Sequence, residues 1–73
     1  MGTKETNERN QNWFLFKFKE IRNKGFNFLE KKRIIAQFMK KMFSSERQAK
    51  ELLNMFQNLG RIKLHRDRIE VLK

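Results

Sequence analysis

The sequence has no cysteine, no proline, one histidine and only eight acidic residues among 73. Without cysteine no disulfide can brace the chain and no thiolate metal site can form. A single histidine leaves no ordinary zinc ligand set, so neither metal nor cofactor is expected. The longest apolar run, Trp13 to Phe16, is four residues, where a membrane span needs about 20. No succession of basic, apolar and small-residue zones stands at the start, so no secretory signal is expected. A chain of this length makes one small domain. It is too small to enclose a substrate pocket and has few candidate catalytic groups, so an enzyme with a small-molecule substrate is not expected. Domains of about 60 residues bury only about 60% of their unfolded surface, so stability is marginal.

What the chain has is positive charge. Eighteen Lys and Arg against eight Asp and Glu give a net charge of +10. Such a surplus attracts polyanions. The commonest one inside cells is nucleic acid, which points to a cytoplasmic, nucleoid-associated or nuclear binding module rather than a membrane protein.

Residues 1–12 contain nothing apolar after Met1, and Lys4 and Arg9 balance Glu5 and Glu8. Such a segment gains too little burial to offset its ordering entropy, so a disordered polar tail is expected. Phe14, Leu15, Phe18 and Ile21 share one face of a helix over 13–24, with Asn12 as cap and Gly25 as terminator. Trp13 and Phe16 fall on the opposite side, and their surplus apolar surface suggests a dimer interface with a second copy of the chain. A strand with Phe14, Phe16 and Phe18 on one face competes for the same residues.

Gly25 to Phe28 suits a linker or a very short strand. Asn27 and Glu30 then have the spacing of a capping box. Leu29, Ile34, Ile35, Phe38, Met39 and Met42 recur at helical spacing over about 28–42, with lysines and arginine between them. Ser45 and Gln48 repeat the capping-box spacing. Ala49, Leu52, Leu53, Phe56 and Leu59 mark the face of a further helix, which Gly60 ends. The two helices are close enough in sequence to form a helix-turn-helix pair. Beyond Gly60 the period changes to two. Folding 61–72 as a hairpin sets Leu64 opposite Ile69 and Ile62 opposite Val71, and on the other face Lys63 opposite Glu70.

The expected fold is α+β, mainly α: three helices followed by a C-terminal two-stranded hairpin. Over residues 13–73 this resembles the winged helix-turn-helix family. The resemblance is carried by the capped helix Ser45 to Leu59, the Leu-Gly-Arg-Ile step at 59–62 and the hairpin 61–72. It implies double-stranded DNA binding, with the third helix in the major groove and the hairpin as a wing along the backbone, in a homodimeric regulator of transcription.

The residues themselves can be sorted by the contacts they suit. The outer side of the third helix carries Arg47, Lys50, Glu51, Asn54, Gln57 and Asn58. Arg can pair with guanine, and Asn or Gln with adenine, through two hydrogen bonds. Ser44, Ser45 and Gln48 sit at the helix start, where hydroxyls and free N–H groups suit a phosphate. Charge is uneven: 13–43 carry net +7, 44–60 net zero and 61–73 net +3. Backbone contacts therefore fall to Lys31, Lys32, Arg33, Lys40 and Lys41 of the second helix. The hairpin adds Arg61, Lys63, Arg66 and Arg68. If six to ten phosphates are neutralised, affinity falls roughly 10³–10⁵-fold between 50 and 200 mM salt. Most Phe residues belong to core faces, which leaves Trp13, Phe16 and Phe43 for binding. The alternative reading is a protein-interaction module, such as a mobile-element protein that covers an acidic host surface. A strand at 13–19 would instead resemble ribbon-helix-helix proteins, in which the hairpin has no place.

Overall fold

Phe14, Phe18 and Ile21 bring the first helix onto the core, and the helix is longer than they alone require. The computed structural model of the chain describes residues 3–72, with side chains from Glu8 onward. Helix α1 runs Thr3–Asn23 and buries Asn10, Phe14 and Phe18, each one turn from the next. Residues 3–12, expected as a tail, are thus helical, and Asn12 is an exposed mid-helix residue rather than a cap. Within this stretch Asn10, one turn ahead of Phe14, is buried at 1% exposure. Residues 1 and 2 of the expected tail lie outside the described residues. Residues 13–19 are helical throughout, so the ribbon alternative is corrected. Gly25 closes the helix at φ 87°, and the Phe26 N–H reaches back to the Ile21 carbonyl at 3.1 Å. Glycine takes this left-handed conformation without a Cβ clash.

Strand β1 (Phe28–Glu30) leads directly into helix α2 (Lys31–Met42). The expected Asn27–Glu30 capping box does not form. Glu30 is the cap residue and makes no side-chain cap bond. Pairing with a distant strand occupies 28–30 instead and sets Leu29 beside Ile69. Helix α2 buries Ile34, Ile35 and Phe38. Helix α3 (Glu46–Asn58) begins where the sequence predicts, with the Ser45 Oγ accepting the Gln48 N–H at 3.2 Å. It buries Ala49, Leu52, Leu53 and Phe56. Leu59, expected on the same face, is 63% exposed because it is the C-cap, past the last turn.

Strands β2 (Ile62–Leu64) and β3 (Arg68–Val71) form the hairpin in the predicted register: Ile62 opposite Val71, Lys63 opposite Glu70, Leu64 opposite Ile69. The sheet is larger than the predicted two-stranded hairpin. β1 adds antiparallel to the other edge of β3, giving three strands in the order β1-β3-β2. The architecture is α+β, mainly α. Leu29, Ile62, Leu64, Ile69 and Val71 form the sheet's apolar face and pack into the helical core.

The three helices meet at an aromatic cluster. Phe14 of α1 stacks on Phe38 of α2 with centroids 4.7 Å apart. Phe14 and Phe18 meet Phe56 of α3 edge-on, at 6.2 and 5.4 Å. Such pairs each add about 0.5–1.5 kcal/mol beyond area burial. Phe14→Ala is expected to cost about 3–5 kcal/mol in urea unfolding; a loss under about 1 kcal/mol would show that the cluster does not join the helices. The Asn10 Nδ2 is buried without a hydrogen-bond partner among the described residues. An unpaired buried amide costs about 1–3 kcal/mol. Asn10→Leu is therefore expected to raise the melting temperature, and a lower one would place a partner on that amide.

Candidate nucleic-acid interface

The start of α2, the start of α3 and the tip of the hairpin converge around one cleft of about 550 Å³. Lys31 and Lys32, Lys50, and Arg66 line it from these three elements, with the carboxylates of Glu30, Glu46 and Asp67 among them. Local bonds fix the hairpin tip there. The Lys31 N–H donates to the Asp67 carbonyl at 3.1 Å, and its Nζ reaches the His65 carbonyl at 3.4 Å. Within the hairpin the His65 N–H donates to the Arg68 carbonyl at 2.9 Å, and His65 Nε2 lies 3.0 Å from Glu70 Oε1. On the other side the Leu64 N–H donates to Gln57 Oε1 at 2.7 Å, which ties β2 to α3. The three elements thus hold Arg66 near the first turns of both helices.

The outer face of α3 is a ladder of ion pairs followed by amides. Arg47 Nε lies 3.3 Å from Glu51, and Lys50 Nζ lies 3.0 Å from Glu46. All four side chains are more than half exposed. Exposed pairs at this spacing contribute only about 0.3–0.5 kcal/mol, so either cation can exchange its carboxylate for a phosphate. Asn54 and Asn58 lie exposed further along the helix. Gln57, also on this side by sequence, has its carbonyl oxygen occupied by Leu64. Ser45 and the Gln48 backbone are engaged in the cap, and the Ser44 hydroxyl donates to the Met42 carbonyl at 3.3 Å.

The remaining candidate residues are dispersed. Lys40 and Lys41 sit exposed in the last turn of α2, at its other end from Lys31. Arg33 lines a separate groove with Lys17 of α1 and Lys24 just past its end. Arg61 lines another with Leu15 and Arg22. Lys63 and Arg68 alternate with core-facing residues and so lie on the outer face of the sheet. There the Arg68 guanidinium stacks over the Phe28 ring at 4.6 Å. The two expected dimer residues also separate. Phe16 is 61% exposed, whereas Trp13 is half-buried, 5.2 Å from Phe14 and 5.5 Å from Phe38.

The net-zero charge of 44–60 is legible in the sequence, and the i,i+4 spacing of Arg47 with Glu51 and of Glu46 with Lys50 signals the pairing. The Phe28–Arg68 stack had no such signal, because it forms between strands far apart in sequence. Among the described residues no group of three acidic, His or Cys side chains could hold a metal ion, and no helix is long and apolar enough to cross a membrane. Comparison with known proteins finds no matching family model, curated protein or solved structure. If α3 faces a polyanion such as duplex DNA, Glu46→Gln combined with Glu51→Gln is expected to strengthen binding to a short DNA duplex several-fold. Fluorescence anisotropy at fixed salt checks this, and unchanged or weaker binding would place α3 away from the polyanion.

Proposed function

We propose that the protein binds double-stranded DNA, with α3 in the major groove and the β2–β3 hairpin on the sugar–phosphate backbone. The observation that carries this is the convergence of Lys31, Lys32, Lys50 and Arg66 from three elements around the cleft at the start of α3. Arg47, with its side chain 90% exposed, stands on the adjoining turn. An α-helix with side chains is about 10–12 Å across, close to the roughly 12 Å width of the major groove. Cations at its start and on the hairpin tip suit the phosphates flanking that groove. Asn54 and Asn58 suit the base edges within it.

The element order, helix–strand–helix–helix–hairpin, also supports this reading through its similarity to the winged helix-turn-helix family, in which the hairpin is the wing. We assign the protein the role of a small regulator of transcription on that basis. A second copy of the chain would meet it at the exposed Phe16 of α1. Trp13 adds little to such a contact, since it packs in its own core.

Five cations gather on this side: Arg47, Lys50, Lys31, Lys32 and Arg66. Five neutralised phosphates give a log–log salt slope of roughly −4.5 and a loss of roughly 500-fold between 50 and 200 mM salt. The double variant Arg47→Glu and Arg66→Glu is expected to weaken duplex binding by at least about 100-fold while leaving the unfolding transition in place. Both positions are exposed, so the fold does not depend on them. Unchanged affinity in the folded double variant would remove α3 and the hairpin tip from the interface. A chain that ignores duplex DNA but captures an acidic protein would favour the protein-interaction reading.

A further inference from the structure

Each of the three helices ends in a left-handed residue. Gly25 closes α1 at φ 87° and Gly60 closes α3 at φ 77°. At the end of α2 the residue is Phe43, with φ 51° and ψ 43°. Among the described residues it is the one non-glycine with positive φ. The bond it makes there, from its own N–H to the Met39 carbonyl, uses backbone alone, and a glycine would make it equally well. A bulky residue with a Cβ is disfavoured in this conformation. Its ring is 94% exposed, more than any other large apolar side chain described, so no burial offsets that disadvantage. Phe43 thus strains the turn and contributes nothing to the core.

Its surroundings indicate what the ring is for. Lys40 and Lys41 are exposed in the turn before it, and Met39 is 38% exposed. Arg47, exposed in the first turn of α3 just after it, pairs with Glu51 at 3.3 Å, and Glu46 is paired to Lys50. A ligand that fits must offer a flat apolar face flanked by negative charge. A nucleobase between phosphates has that chemistry, and interleaved aromatics and cations are how unpaired bases are held. In a fully paired duplex each base face is covered by its neighbours, so a ring can reach one only by unstacking it. An unpaired base has an open face.

We propose that Phe43 is a stacking residue for an unpaired nucleobase, so that the protein favours DNA in which such a base adjoins duplex. The inference rests on the duplex-binding reading above and adds a preference to it. Phe43 takes no part in the paired-duplex contacts assigned there.

The test compares two labelled DNAs, a short paired duplex and the same duplex with one bulged fluorescent adenine analogue, bound to the full chain. The wild-type chain is expected to bind the bulged form roughly tenfold more tightly, the worth of one base–aromatic stack, and to quench the analogue. Phe43→Ala and Phe43→Gly should abolish both the preference and the quenching, while Phe43→Trp keeps them. Phe43→Gly should also melt no lower than wild type, because it relieves the turn, which separates loss of stacking from loss of fold. Equal wild-type affinity for the two DNAs, or a preference that survives Phe43→Ala, overturns the inference while leaving duplex binding intact. Absence of binding to either DNA overturns both readings. Phe43-dependent binding to phosphatidylserine vesicles without a bulge preference overturns the inference in favour of a membrane contact.

Discussion

The contact on which the rest depends is the stack of Phe14 on Phe38, closed at its edge by Phe56. A 73-residue chain with no cysteine has little else to hold three helices together. One ring from each helix meets at this point, and each brings a large apolar area on a side chain with few rotatable bonds. Trp13 and Phe18 extend the cluster along α1. Trp13 carries the cluster to Phe38 of α2, and Phe18 carries it to Phe56 of α3. The orientation of its outer face, with Arg47 and Lys50, is therefore a consequence of aromatic packing on the inner one.

The sheet does a different task. Its apolar face completes the core, but its main effect on the candidate interface is to fix the hairpin tip. β3 is held on both edges, by β1 and by β2. The tip is further tied to α2 through the bonds from Lys31 to Asp67 and His65. A free two-stranded hairpin is only marginally stable in water. Held in this way, Arg66 becomes a defined neighbour of the α3 start. β1 matters for the same reason: it gives the hairpin a third strand and joins it through Glu30 to the first turn of α2.

Charge is organised by restraint as well as by accumulation. The chain carries +10, yet α3 carries as many carboxylates as cations. The strongly basic segments lie on its flanks. An arrangement of this kind suits a helix whose neighbours provide attraction to phosphate while its own amides, Asn54 and Asn58, stand exposed for discrimination. The intrahelical pairs of α3 keep Arg47 and Lys50 extended along the helix surface without burying them.

Where the determinants are local, the sequence was sufficient. Ser45 and Gln48 set the start of α3, Gly25 and Gly60 set two helix ends, and the alternation of Ile62, Leu64, Ile69 and Val71 set the hairpin register. Each depends on residues within a turn or a hairpin of one another. Pairings between residues distant in the chain were decided by the tertiary structure. Phe28 to Glu30 read as a linker and helix start until β3, some forty residues on, supplied the hydrogen bonds that make them a strand. Asn10 reads as tail because nothing between Met1 and it is apolar, yet in the fold it is buried one turn ahead of Phe14. The candidate interface divides in the same way. The sequence named its cations, but their grouping into one cleft by Lys31, Lys32, Lys50 and Arg66, with Arg33 and Arg61 turned elsewhere, follows from how the elements pack. Local preferences fix what each segment is, and burial of apolar surface against remote segments fixes which of its side chains meet.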